Sequence, residues 1–212
     1  MSNDTCTEES FLNDISSHKM TVLLNNGLYR HIRFKRPNTG NMYFDLITAP
    51  DLLLYRGDMG CYEFERIPDM FEFFRSDRES YQKQGKKVPI NIGYWGEKLQ
   101  SVSCFGDGYR EYSQELFNEE IEELVQGFLE DNPEVDEEEF REAINDDVLS
   151  MGEFECEARH AVDYFEFNGR SVFCDFFEAR LTRPTYHYTW ACYAIAWGIQ
   201  QYDKDTLKER LK

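Results

Sequence analysis

The chain has no Cys-x-x-Cys pair, no Gly-Lys-Ser/Thr phosphate loop, no His-x-x-x-His spacing and no apolar run long enough to cross a bilayer. Each absence removes a class of function. The six cysteines, Cys6, Cys61, Cys104, Cys156, Cys174 and Cys192, are scattered, which argues against a zinc knuckle or a disulfide framework and for reduced, mostly buried thiols. The longest apolar stretch, residues 190–199, is half of the roughly 20 residues that a spanning helix needs. The opening MSNDTCTEESFLND lacks a basic region followed by an apolar one, so the expected location is the cytosol. Positive charge is scarce too: 23 Lys and Arg face 41 Asp and Glu, a formal net charge of −18. Such a chain repels nucleic-acid phosphates and anionic membranes, so neither is expected as a direct partner. A partner held by charge should be basic.

What is present is apolar and aromatic enough to fold. Hydrophobic residues make up 41% and aromatics 16%, with 17 Phe and 13 Tyr, too much for a disordered chain. The charge is unevenly spread. Residues 111–178 hold 23 acids and only Arg141, Arg159 and Arg170, a balance of −20, while the remainder carries 18 acids and 20 bases, or +2. A near-neutral part is thus joined to an intensely acidic one.

Taken in order, residues 1–19 are polar and mixed and read as a flexible arm. Residues 20–110 read as a β-meander with short helices. Asn25-Asn26-Gly27 is a turn signal, after which Arg30, Ile32 and Phe34 alternate with Tyr29, His31, Arg33 and Lys35. Further short runs at residues 42–48, 52–56 and 61–66 are separated by Pro50-Asp51 and Gly57-Asp58-Met59-Gly60, giving about four antiparallel strands. Pro68-Asp69 starts a helix with Met70, Phe73 and Phe74 on one face. Residues 76–87 read as an exposed basic loop or a frayed helix end, residues 90–100 as a short helix, and residues 104–109 as turns.

The string GDMG, then Phe64, then DMFEFFR, then INIGYWGEKL resembles a family of small uncharacterised phage and prophage proteins, over roughly residues 28–100. The resemblance implies life in the cytosol of an infected bacterium. It implies no catalytic residues, and the acidic segment lies outside it.

Residues 111–212 read as an acidic, mainly helical half that packs on the first part as one unit or stands alone. Ser113 is an N-cap for a helix with Phe117, Ile121, Leu124, Val125 and Phe128 on one stripe. Asp136 with Glu139 opens a second helix with Phe140, Ile144 and Val148 on one face. Phe154, Ala158, Ala161, Val162 and Phe165 suggest a third, ending near Asn168-Gly169. Residues 172–179 fit strand or helix. Trp190, Tyr193, Ala194 and Trp197 place a last helix, from about Pro184 to Asp203, in the core rather than on a base-stacking platform. The fold class expected is therefore α+β.

The motifs for chemistry are weak. The run 131–139 has Asp136 where a calcium loop needs glycine. His18, His31, His160 and His187 are dispersed, and Phe105-Gly106-Asp107-Gly108 is no phosphate loop. Cys156 and His160 lie one helical turn apart, but Glu155 and Glu157 disfavour a thiolate there. No catalytic residue, metal or cofactor is expected. The candidate partner-binding residues are Glu119, Glu120, Glu122, Glu123, Glu130, Asp131, Glu137, Glu138, Glu142, Asp146 and Asp147. A charge run is usually a solvated helix surface. Here like-charged pairs such as Glu119 with Glu123 and Glu134 with Glu138 each oppose folding by a few tenths of a kcal/mol, and mixed signs would give solubility without that cost. Helical carboxylates can imitate DNA phosphates and occupy a basic channel. The leading expectation is a phage-encoded, non-enzymatic inhibitor, of anti-CRISPR or anti-restriction type, bound to a basic surface of a host nucleic-acid-handling defence complex. The alternative is a structural or regulatory phage protein whose acidic half mediates assembly, homo-oligomers included. A Mg²⁺-dependent phosphoryl-transfer enzyme ranks third.

Overall fold

A computed structural model describes residues 5–76, 85–102, 108–173 and 176–210. The fold is α+β. The chain forms two compact units, one of Met1–Arg110 with Pro184–Lys212 and one of Glu111–Arg183.

The first unit is built on an antiparallel sheet in sequence order: β1 (Lys19–Asn26), β2 (Tyr29–Lys35), β3 (Phe44–Ala49), β4 (Leu52–Gly57), β5 (Gly60–Glu65) and β6 (Leu99–Val102). It has six strands where the alternation predicts about four. The extra two are the edges, β1 and β6, which are largely exposed and so lack a clean inward-outward pattern. Gly27 at φ +62° begins the two-residue loop between β1 and β2, and Asn26 sits opposite Tyr29. In β2 the alternation fixes the register: Arg30, Ile32 and Phe34 are buried.

Helix α1 (Glu8–Asp14) replaces the expected flexible arm from residue 8 onward. Thr7 caps it, its Oγ1 accepting from Ser10 N at 3.1 Å. Phe11 is fully buried, with ring centroids 5.1 Å from Trp190 and 5.5 Å from Tyr193. Cys6 and Ile15 are buried beside it, and Glu8 accepts from Val88 N, so the segment is held down along its length. Helix α2 (Met70–Ser76) starts where Asp69 Oδ1 accepts from Phe71 N at 2.9 Å, and it buries Met70, Phe71, Phe73 and Phe74. Helix α3 (Ile92–Gly96) is shorter than expected, because the chain turns into β6 at Leu99.

The second unit contains β7 (Arg110–Tyr112, shared with the boundary), α4 (Gln114–Asp131), α5 (Glu137–Asp147), α6 (Glu155–Tyr164), the hairpin β8 (Glu166–Phe167) with β9 (Arg170–Ser171), and β10 (Thr182–Pro184), which pairs with β7. Both expected N-caps form: Ser113 Oγ accepts from Leu116 N and Asp136 Oδ1 from Glu139 N. Phe117, Ile121 and Val125 from α4, Phe140 and Ile144 from α5, and Ala158 and Val162 from α6 make a separate core. The third helix ends at Tyr164, earlier than expected. Asn168 at φ +53° and Gly169 at φ +71° form the hairpin turn that follows.

The last helix, α7 (Tyr186–Arg210), belongs to the first unit, which corrects its assignment to the acidic half. Its apolar residues cover the sheet: Trp190 meets Phe44 at 5.7 Å, and Trp197 meets Phe34 at 5.3 Å. Trp190 Nε1 donates to Asp14 Oδ2 at 3.0 Å, tying α1 to the same helix. The expected loops at residues 76–87 and 104–109 and the run 172–179 fall partly outside the described residues.

Candidate functional site: the acidic unit

The boundary between the units sharpens the charge separation. Residues 111–183 hold 23 acids and five arginines, 5 − 23 = −18; the rest of the chain holds 18 acids and 18 bases, which cancel. The whole net charge of the protein lies in the second unit.

Helical geometry distributes that charge. With Phe117, Ile121 and Val125 buried, the 100° step per residue puts Glu119, Glu123 and Glu130 on the opposite side of α4. With Phe140 and Ile144 buried, Glu138, Glu142 and Asp146 form a row at i, i+4 and i+8 on the outer side of α5. Ten of the eleven candidate residues are exposed, and Glu120 is half-buried at the edge of its stripe. The two helices pack together through Phe128 and Phe140, whose rings stack at 4.8 Å. Beside that contact Arg141 bridges them, donating to Glu122 Oε1 at 2.9 Å and to Glu137 Oε1 at 2.8 Å. Glu122 and Glu137 are therefore compensated, and the arginine is held in its charged form by both.

Among the described residues of this unit, the other bases with ion pairs are Arg159, on Glu155, and Arg183, on Glu111 and Glu115. Among the described residues, no Lys or Arg forms an ion pair with Glu119, Glu120, Glu123, Glu130, Asp131, Glu138, Glu142, Asp146 or Asp147. Nine of the eleven candidates thus carry uncompensated charge. Helix α4 spans about 27 Å and, with Glu115 and Glu122 paired to arginines, carries five unpaired acids, one per ~5 Å; α5 spans about 17 Å and, with Glu137 paired, carries five, one per ~3 Å. One DNA strand carries a phosphate per about 3.4 Å. The unpaired charges of α5 come close to that spacing, and those of α4 are sparser.

Among the described residues, no three His, Cys, Asp or Glu side chains come together as a metal site. No described helix is long and apolar enough to cross a membrane.

Asp147 faces a different feature from the rows. It lines a cavity of about 720 Å³ with Met151, Cys156, Glu157, His160, Ala161, Tyr164, Phe165 and Glu166. The one-turn spacing of Cys156 and His160 brings both to this wall, but the His160 ring stacks on Tyr164, centroids 4.4 Å apart. Tyr164 is 75% exposed and Met151 49%. Sequence reasoning missed the cavity because its wall comes from three consecutive segments whose relative placement no periodicity encodes. Nearby, burial and Glu155 push the Tyr112 hydroxyl up to about 12, so it stays protonated and donates to Gly152 O at 2.9 Å, fixing the turn before α6.

Compared with known protein families, curated proteins and solved structures, the chain matches none.

Proposed function

We propose that the chain is a non-enzymatic, phage-encoded inhibitor whose acidic unit occupies the basic nucleic-acid-binding surface of a host defence complex in the bacterial cytosol. The observation that carries this reading is the segregation of charge: one unit holds all −18 and the other is neutral. Uncompensated carboxylates on α4 and α5 cost folding stability, and a basic partner that supplies the missing counter-charges recovers it on binding. A density of about one unpaired charge per 3–5 Å along the two helices suits a channel made for phosphates.

The test is an affinity capture from bacterial lysate with elution by rising salt. A nuclease or other nucleic-acid-binding complex should elute as salt rises, and duplex DNA should compete it off. Recovery of the chain alone, or of partners indifferent to salt, would refute the reading.

A further inference from the structure

We infer that the cavity between α5, α6 and β8 is an arginine-recognition subsite, which takes a guanidinium side chain from the basic partner. This deepens the proposed function and rests on the acidic unit being the binding module.

Three carboxylates, Asp147, Glu157 and Glu166, line the cavity, and among the described residues none forms an ion pair with Lys or Arg. An occupant of positive charge is therefore favoured. The stacked His160 and Tyr164 rings supply an aromatic surface at the same wall, with Tyr164 three-quarters exposed. A cation over such a face gains from the ring quadrupole as well as from the carboxylates. Met151, Ala161 and Phe165 give the remaining wall an apolar lining that matches a methylene stem rather than a second charge.

These three features together select arginine over lysine. A guanidinium is planar, stacks on an aromatic ring, presents a fork to a carboxylate and sheds water readily. An ammonium also gains from the ring and can bury its stem, but it has no planar face to stack and no fork, and it holds its water more tightly. At about 720 Å³ the cavity has the size of a ligand site and exceeds one guanidinium, leaving room for the residues on either side of the arginine. The outer rows on α4 and α5 would supply long-range attraction, and the cavity would fix register.

The full chain is titrated with fluorescein-labelled hexa-arginine and hexa-lysine peptides at low ionic strength, and binding is read by anisotropy. Hexa-arginine should bind about fivefold or more tighter, as expected for one cation–π and bidentate contact. Tyr164→Ala and the pair Glu157→Gln with Glu166→Gln should abolish that preference. Glu119→Gln with Glu123→Gln should weaken both peptides alike and leave it intact. Equal binding of the two peptides, weakened by the α4 change, would overturn the subsite and leave the acidic-face reading standing. Loss of preference in Tyr164→Ala with no effect of the α4 change would uphold the subsite and count against the helical face. Absence of binding to either peptide would sink both. Should Tyr164→Ala fold poorly, the wild-type His160 and Tyr164 ring protons decide: they shift with hexa-arginine if the subsite exists, and stay fixed if it does not.

Discussion

At the scale of single residues, the neutral unit owes part of its stability to two ion-paired carboxylates, Asp45 buried and Asp69 half-buried. Asp45 is fully buried on β3, where Arg33 donates to both its oxygens at 2.8 Å and His31 Nε2 lies 3.2 Å away. Burial raises its pKa, but Arg33 and His31 outweigh that and hold it below the ordinary carboxylate value. Asp69 behaves likewise: burial opposes ionisation, and Arg30, with donors at 2.9 and 2.8 Å, overcomes it. A carboxylate depressed in the folded state adds stability above its unfolded pKa and loses it as pH falls through the folded one. Stability of this unit should hold from neutral pH down to about 4 and decline below, as urea unfolding at stepped pH would show. Asp45→Asn should cost about 2 kcal/mol at pH 7 and flatten that acid limb, since charged hydrogen bonds are lost from a buried site whose partners are only partly exposed. The alternation in β2 made Arg30 legible as an inward residue. What neutralises it was not legible, because Asp69 lies 39 residues away and its helix-start role masks its second one.

At the scale of elements, α7 shows where sequence patterning stops. The spacing of Trp190, Tyr193, Ala194 and Trp197 says that the helix is buried, and it is, but a stripe does not say what covers it. The partner is the sheet, whose β2 and β3 lie more than a hundred residues earlier. The approach is close at Gly198, where an added Cβ would lie 2.8 Å from Leu46 Cδ1 and 3.1 Å from the Phe34 ring. Gly198→Leu should therefore destabilise by about 1–3 kcal/mol through overpacking, measured as a lowered urea midpoint with unchanged slope. Helix α4 should behave in the opposite sense. Its stripe, cap and outer acids were all legible, since each rests on local spacing. Glu123→Gln removes a like-charge pair with Glu119 and should raise stability by a few tenths of a kcal/mol while weakening capture of the basic partner. A solvated surface without a partner would show the first effect and not the second.

At the scale of the molecule, the two units should answer salt differently. Screening relieves the repulsion among 23 acids and five arginines but changes little where 18 acids meet 18 bases. Amide hydrogen exchange should slow with added NaCl in α4 and α5 and stay level in β2–β4; equal responses would contradict the division. The acidic unit is also an insertion with neighbouring ends, since Thr185 N donates to Tyr109 O at 3.1 Å. Replacing residues 111–183 with a short Gly/Ser linker should leave a neutral protein that still unfolds cooperatively and captures nothing, which circular dichroism and the lysate experiment together would check. That insertion puts 73 residues between Arg110 and the segment that carries α7, the cover of the sheet. On the ribosome the six strands emerge first and their cover last, a delay of roughly 4–15 s at ordinary elongation rates. Throughout that delay the uncovered sheet trails a segment of charge −18 that the phosphates of ribosomal RNA repel.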